Sequence, residues 1–167
     1  MQQVKQRLTD FQTFYSSSVS WYFEDNEMIL KNSKLDDNKR LFEEMTFCLL
    51  TANTSAVMGM KSVDALRSVL FTGNFEEIRD KLVSCSYRFP NKRAEFIVLA
   101  RKDFSDNLKG LIENKDKFEL REYLVNTVKG LGYKEASHFL RNVGVKGLAI
   151  LDKHILRSMN EKGLIAN

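Results

Sequence analysis

Apolar residues recur along this chain at the spacing of one face of an α-helix. In three stretches the apolar side chains lie three, four, seven or eight positions apart, which is typical of a helix with one buried face. These stretches comprise Leu41, Met45, Cys48 and Leu49, then Phe75, Ile78 and Leu82, and then Leu120, Tyr123, Leu124 and Val128. Asn74 and Glu77 have the spacing of a capping box at the start of the second stretch. The pattern predicts about eight or nine short helices joined by short polar turns.

The scarcity of turn residues supports a helical fold. The chain has one proline and eight glycines in 167 residues, fewer than strand-rich sandwiches and barrels usually need. A hydrophobic fraction of 43% and a charged fraction of 29% are typical of a folded globular protein. The length fits one domain, so we predict that residues 1–167 form a single helical domain. Loops are predicted at residues 16–18 and 31–38, which are polar and lack apolar periodicity.

The composition also narrows the cellular setting. The longest uninterrupted apolar run is Phe96–Ala100, far shorter than the roughly 20 residues of a membrane span. No apolar segment follows the charged N-terminus as it would in a secretory signal, so we expect an intracellular protein without a membrane partner. Two cysteines, Cys48 and Cys85, cannot build a four-cysteine cluster. His138 and His154 lack a third ligand at a recognisable spacing, and we therefore predict no metal site.

Charge is distributed unevenly between the two halves of the chain. Residues 1–83 contain 10 basic and 12 acidic residues, whereas residues 84–167 contain 16 basic and 10 acidic residues, a net charge of +6. A basic half favours a polyanionic partner, most often nucleic acid, although a solvated basic surface gives the same pattern. In this half, Tyr87 and Phe89 flank Arg88 and could either face nucleic acid or pack into the helical core.

The segment from residue 128 to residue 140 carries the most specific signal. A Gly-Leu-Gly turn at residues 130–132 separates the third apolar stretch from the start of a new helix. Glycines allow a sharp turn and a close approach of the backbone to another surface, and backbone N–H groups can hold a phosphate without reading a base. We predict a helix–hairpin–helix motif at about residues 120–142, in which Gly130 and Gly132 bind a phosphate. A plain structural turn is the alternative.

Lys134 lies two residues after the second glycine of this turn, and Asp152 follows 18 residues later. Both positions, and the step between them, resemble the helix–hairpin–helix superfamily of DNA glycosylases. Within that superfamily the chain resembles the archaeal-type 8-oxoguanine DNA glycosylases/AP lyases in four blocks that follow in the same order. The blocks are Phe47–Asn53, Tyr87–Phe89, Lys92–Arg101 and Gly132–Gly144. The resemblance covers the chain from about Leu41 to its C-terminus.

This resemblance implies an all-α fold in which two helical lobes flank a DNA-binding cleft. Relatives continue through further helices beyond the position of Asn167, so we expect the C-terminal helices that help to close their base pocket to be absent. Lys129 stands where many superfamily hairpins have proline.

The implied activity is bifunctional and needs no cofactor. It consists of the removal of 8-oxoguanine, followed by β-elimination at the abasic site through a lysine Schiff base. We expect a monomer that binds double-stranded DNA containing 8-oxoguanine or abasic sites. The alternatives are a glycosylase for another oxidised base and a non-catalytic helix–hairpin–helix module that only binds DNA.

The resemblance also implies a role for each candidate residue. Lys134 would attack C1′ of the sugar as a neutral amine, and the first turn of a helix disfavours a cation. Asp152 would stabilise the positive charge that develops on the sugar, although Asp is also a common helix N-cap. Asn53 would wedge into the duplex beside the orphaned base, and Phe89 would stack on the extruded base. The ordinary alternatives are a solvent-facing lysine, a turn residue for Asn53 and core packing for Phe89.

Overall fold

The computed structural model describes residues 2–25 and 27–165, with side chains from Thr9 onward, and within these residues it has nine α-helices and one β-hairpin. In chain order the elements are α1 (Gln2–Ser16), β1 (Val19–Glu24), β2 (Glu27–Asn32), α2 (Asp37–Thr51), α3 (Ala56–Leu66), α4 (Phe75–Ser84), α5 (Pro90–Phe104), α6 (Leu108–Asn114), α7 (Lys117–Thr127), α8 (Tyr133–Asn142) and α9 (Lys153–Glu161). The predicted helical fold is confirmed, with the hairpin as an addition. Among the described helices, none is both long enough and apolar enough to cross a membrane.

Helix α2 is the centre of the hydrophobic core. Asp36 caps its start, because the Asp36 carboxylate accepts a hydrogen bond from the backbone N–H of Lys39 at 3.0 Å. Residues 40–50 are all buried, and α2 contacts α3, α5, α6 and α8. The first predicted apolar stretch, from Leu41 to Leu49, therefore lies at the middle of the molecule. This helix fixes the position of α8 and of the turn that follows Thr51, and both carry candidate site residues.

The predicted capping box at the start of α4 is confirmed. The backbone N–H of Glu77 donates to Asn74 Oδ1 at 2.9 Å, and the backbone N–H of Asn74 donates to Glu77 Oε2 at 2.8 Å. Ile78 and Leu82, from the second apolar stretch, are fully buried. They hold α4 in the core beside α5, the helix that borders the candidate site.

The β-hairpin is the element that the helical pattern does not predict. Strands β1 and β2 pair antiparallel, with Trp21 opposite Leu30. Arg67, at the end of α3, anchors the hairpin to the helices. Its guanidinium donates to the carbonyl oxygen of Trp21 and to Glu43 at 2.9 Å, and it stacks 3.7 Å from the centroid of the Tyr22 ring.

The loop predicted at residues 31–38 is correspondingly shorter. Lys31 and Asn32 end β2, and Asp37 and Asn38 begin α2, so residues 33–36 alone connect the two elements. Strand pairing gives the backbone groups of β2 their hydrogen-bond partners, and a short polar stretch does not reveal that pairing in its own sequence.

Candidate active site

Helices α7 and α8 and the loop between them form the first part of the site. Asp116 caps α7, because its carboxylate accepts hydrogen bonds from the backbone N–H groups of Phe118 and Glu119. Apolar side chains along the whole unit are buried and hold it against the rest of the core. They are Leu120, Leu124, Val128, Leu131, Ala136, Phe139 and Leu140. The connecting loop is therefore carried on a rigid base, and a concave surface of about 540 Å³ follows it from Val125 to Gly132.

The two glycines of the loop differ in what they require. Gly130 has a φ of +89°, and a Cβ atom at this position would overlap the ring of Phe96. Gly132 is the N-cap of α8, with a φ of −82° that any residue can adopt, and a Cβ there would meet only the Glu135 carboxylate, at 3.3 Å. Both the backbone conformation and the packing thus demand glycine at Gly130, whereas neither does at Gly132.

Lys134 is the second residue of α8 and projects from its first turn. Its side chain is 43% exposed, and its Nζ lies 3.4 Å from Oε1 of Glu135. The Glu135 side chain is only 15% exposed, so the carboxylate lies at the base of the lysine rather than in bulk solvent. Lys134 is accessible to a large substrate and has a fixed carboxylate beside it.

Asp152 caps α9. Its Oδ1 accepts hydrogen bonds from the backbone N–H groups of His154 and Ile155, both at 2.9 Å. These bonds, first that from Ile155, lower the pKa of the Asp152 carboxyl, and the charge of Lys134 acts in the same direction. The cap expected as an alternative is thus present. The charge of Lys134 thus reaches the Asp152 carboxyl, although the two residues stand on different helices.

Asn53 and Phe89 form a second group. Asn53 follows the C-terminus of α2 in a left-handed conformation with a φ of 64°, and its side chain is exposed. Phe89 precedes α5 and is 37% exposed. The two residues line one cavity of about 250 Å³ together with Lys92, Arg93 and Phe96. Among the described residues that line this cavity, neither Lys134 nor Asp152 is present.

The two aromatic residues around Arg88 have different environments. Tyr87 is buried, and its hydroxyl donates a hydrogen bond to the carbonyl oxygen of Leu50 at 2.7 Å. It belongs to the core and supports the end of α2. The Phe89 ring faces outward instead, with the Arg88 guanidinium 4.9 Å from its centroid. Of the two, Phe89 is the one available to a ligand.

Arg93 and Glu135 border the site, and neither was predicted from the sequence as a site residue. For Arg93 a signal existed, since it is a cation in the first turn after Pro90 among residues with apolar periodicity, and a cation buried there requires specific partners. For Glu135 no signal existed, because an acidic residue in the first turn of a helix is common for electrostatic reasons alone. Within the described parts of the chain, no three His, Cys, Asp or Glu residues are grouped as metal ligands.

Comparison with known proteins gives a consistent result. A family model described as 8-oxoguanine DNA glycosylase matches residues 22–167. The chain is 48% identical over 129 residues to an 8-oxoguanine DNA glycosylase/AP lyase of Picrophilus torridus, covering 77% of this chain and 61% of that protein. It is 44% identical over 136 residues to the protein of the same name from Methanocaldococcus jannaschii, covering 81% and 65%.

Solved structures agree with these matches. The crystal structure of the 8-oxoguanine DNA glycosylase of Thermotoga maritima has a TM-score of 0.77 and 41% identity, covering 99% of this chain and 70% of that chain. The M. jannaschii 8-oxoguanine glycosylase/lyase in complex with DNA containing 8-oxoguanine has a TM-score of 0.79 and 36% identity, again with 99% and 70% coverage. The chain thus spans about three fifths of the length of the curated relatives it matches first.

Proposed function

Because this chain belongs to the 8-oxoguanine DNA glycosylase family, we propose that it removes 8-oxoguanine from double-stranded DNA and cleaves the strand at the abasic site that remains. The observation that carries this proposal is the arrangement of Lys134 and Asp152. They lie at the N-termini of two helices within electrostatic range of each other. An accessible amine and an ionised carboxylate together suit the cleavage of an N-glycosidic bond. The M. jannaschii relative, solved with DNA containing 8-oxoguanine, supports the same substrate.

The loop between α7 and α8 would hold the DNA strand by a phosphate. Among the described residues, no side-chain cap hydrogen bond is made at Gly132, the N-cap of α8, which leaves backbone N–H groups at this end open to an anion. These groups and the positive end of the helix dipole favour an anion. Gly132 has no side chain that would block the approach of the strand. Such a contact carries no sequence information and serves damaged and undamaged DNA alike.

Asn53 and Phe89 would handle the base pair that is opened. An enzyme that acts on a base must take it out of the stack, and the vacated space must be filled. The Asn53 amide, exposed on a tight left-handed turn, can enter that space and hydrogen-bond the orphaned base. Phe89, exposed in the same cavity, offers a ring on which a base can stack.

Lys134 and Asp152 would then carry out the bond cleavage. Lys134 Nζ attacks C1′ as a neutral amine, and the base departs with the electron pair of the bond that breaks. The Glu135 carboxylate, 3.4 Å from Nζ, is in reach of the proton that the ammonium must lose. The Asp152 carboxylate stabilises the positive charge on the sugar, and the hydrogen bonds that lower its pKa keep it ionised.

The strand cut follows from the covalent intermediate. Opening of the sugar ring gives a Schiff base between Lys134 and C1′. Loss of a proton from C2′ expels the 3′ phosphate by β-elimination, and water then hydrolyses the Schiff base and restores the amine. Since this reaction occurs on cellular DNA, we place the protein inside the cell.

Borohydride trapping tests the proposal directly. Incubation with a duplex that contains one 8-oxoguanine should give a covalent protein–DNA complex, because borohydride reduces the Schiff base. Lys134→Gln should abolish this complex while duplex binding stays close to that of the wild type, since glutamine keeps the size of the side chain but supplies no nucleophile. Lys102→Gln, at an exposed lysine near the end of α5, is the matched control and should trap normally. Full trapping by Lys134→Gln would assign the nucleophile to another residue.

One feature favours a second function, that of a module that binds DNA without catalysis. Helix α9, whose N-cap is Asp152, buries no residue. Wild-type protein that binds the 8-oxoguanine duplex but neither excises the base nor forms the covalent complex would support this alternative. Trapping on a duplex with a different oxidised base, and not on one with 8-oxoguanine, would support the proposed mechanism and show that the substrate is that other base.

A further inference from the structure

Arg93 lines the cavity that Asn53 and Phe89 share. It is the fourth residue of α5 and is 7% exposed, which is unusual for an arginine. Its Nη2 donates a hydrogen bond to the carbonyl oxygen of Ala52 at 3.0 Å. Ala52 directly precedes Asn53, so this bond fixes the turn that presents the Asn53 amide. The left-handed φ of Asn53, 64°, is a conformation that needs such support from the surrounding structure.

The opposite side of Arg93 faces the loop between α7 and α8. The guanidinium carbon lies 5.5 Å from the centroid of the Phe96 ring, and that ring packs directly against the α-carbon of Gly130. A Cβ atom on Gly130 would be 3.2 Å from Arg93 Nη1. On the outer side, Lys129 of the same loop pairs with Glu95 of α5 at 2.6 Å. The first turns of α5 therefore connect the Asn53 turn to the loop that would bind phosphate.

Burial of the Arg93 side chain has a cost in stability. Its Nε is buried and has no hydrogen-bond partner among the described residues. A buried polar group without a partner destabilises a fold, and an apolar side chain of similar length would avoid that cost. A residue that places a polar group in the interior without a hydrogen-bond partner often has a function that outweighs the loss of stability.

We propose that Arg93 is a positioning residue that couples the Asn53 turn to the Gly130 loop. The coupling would set the distance between the DNA phosphate bound at the Gly130 loop and the Asn53 amide inserted into the duplex. Binding of the strand would then place the Asn53 amide where the base is extruded. This inference rests on the proposed function, since it concerns how the duplex is opened. It assigns Arg93 no contact with the base, because the hydrogen bond that Arg93 makes among the described residues goes to the protein backbone.

Arg101 offers a matched control on the same helix. It lies about two turns further along α5 and, like Arg93, donates to backbone carbonyl oxygens, those of Leu70 at 2.9 Å and Gly73 at 2.8 Å. Its bonds tie α5 to the connection between α3 and α4, away from the candidate site. Arg101→Met should therefore remove a comparable structural link without changing the handling of DNA.

The first measurement is base extrusion itself. In the Lys134→Gln background, 2-aminopurine next to 8-oxoguanine reports unstacking by an increase in fluorescence at saturating protein. Adding Arg93→Met should reduce this increase, and adding Arg101→Met should not. The readout requires no catalysis, so it remains informative even if the wild-type protein excises no base. Failure of the proposed function and failure of this inference are therefore distinguishable.

The second measurement compares two substrates under single-turnover conditions. One has 8-oxoguanine fully paired, and the other has it in a mismatched bubble, where extrusion costs less. Arg93→Met should lower the ratio of the paired rate to the bubble rate by roughly 10- to 100-fold, the scale of a small misplacement of a positioned group. Arg101→Met should leave the ratio unchanged.

If Arg93→Met does not fold, Arg93→Lys, which keeps the positive charge but not the planar set of N–H donors, should show a smaller loss in the same direction.

A double variant locates the effect. If Arg93 acts through the Asn53 turn, Asn53→Ala and Arg93→Met together should lower the ratio little more than either alone, because both disable the same step. Equal losses on the paired and bubble substrates, together with an unchanged fluorescence signal, would overturn the proposal and make Arg93 a purely structural residue.

Discussion

Helix α8 buries five of its ten residues, whereas α9 buries none of its nine. The first carries Lys134 and the second is capped by Asp152, so the two candidate catalytic groups are held in place by different means. Lys134 stands on a helix fixed by the core contacts of Ala136, Phe139 and Leu140. Asp152 is fixed by its own hydrogen bonds to the first turn of α9.

The apolar side chains in and next to α9 remain partly exposed. They are Leu151, Ile155, Leu156 and Leu164, each at least 40% exposed. An isolated helix of fewer than about 12–15 residues is only marginally stable in water. The proposed nucleophile is thus positioned by packing and the proposed catalytic carboxylate by local capping, which predicts unequal responses to substitution.

The largest expected contrast is in stability. Phe139→Ala removes a fully buried ring from α8 and should lower the free energy of unfolding by about 3–5 kcal/mol. Ile155→Ala, in α9, should change it by less than about 0.5 kcal/mol, because the side chain is 44% exposed. Denaturant melts of the two variants beside the wild type measure the difference. Equal losses would show that α9 is packed in solution.

The next contrast separates the two roles of Asp152. As a cap it needs only an acceptor, which asparagine also supplies, whereas charge stabilisation needs the full carboxylate. Asp152→Asn should therefore keep the thermal stability and slow base excision by at least ~10²-fold, the scale of losing one preorganised electrostatic contact. Asp152→Ala should slow excision equally and also weaken α9, seen as faster amide exchange at His154 and Ile155. Wild-type excision by Asp152→Asn would reduce Asp152 to a cap.

The smallest contrast concerns the two glycines of the hairpin. Gly130→Ala forces a side chain into a left-handed conformation, at a cost of about 1–2 kcal/mol before the overlap with Phe96 is counted. It should destabilise the protein and weaken binding of damaged and undamaged duplex alike. Gly132→Ala should change stability by less than about 0.5 kcal/mol, since only the Glu135 side chain must move. A larger loss of stability at Gly132 than at Gly130 would contradict the loop geometry.

Helical periodicity identified the apolar faces of the helices, but it could not show which of these faces another part of the chain covers. The apolar positions of α2, from Leu41 to Leu49, are all in the core, as their spacing predicts. Ile155 and Leu156 of α9 are also apolar and yet stay exposed, because burial depends on what the rest of the chain places against them. The pairing of β1 with β2 was missed for the same reason, since register is a property of two segments together.

The candidate site shows the same limit. The resemblance selected Lys134, Asp152, Asn53 and Phe89, but only the fold shows that they form two groups. The sequence could mark Arg93 as a cation in an apolar setting, but it could not reveal its partner, the backbone carbonyl oxygen of a residue 41 positions away. Because every residue has a backbone carbonyl oxygen, the identity of the partner residue does not reveal such a contact.

The burial of Cys48 in α2 has a consequence for how the protein withstands oxidants. Cys48 is fully buried, and this burial raises the pKa of its thiol well above the usual value, although the charges of Arg141 and Lys134 act against the shift. Peroxides react with the thiolate rather than the thiol, so Cys48 remains in its inert form. The oxidants that convert guanine to the proposed substrate would thus leave the Cys48 thiol in the interior unchanged.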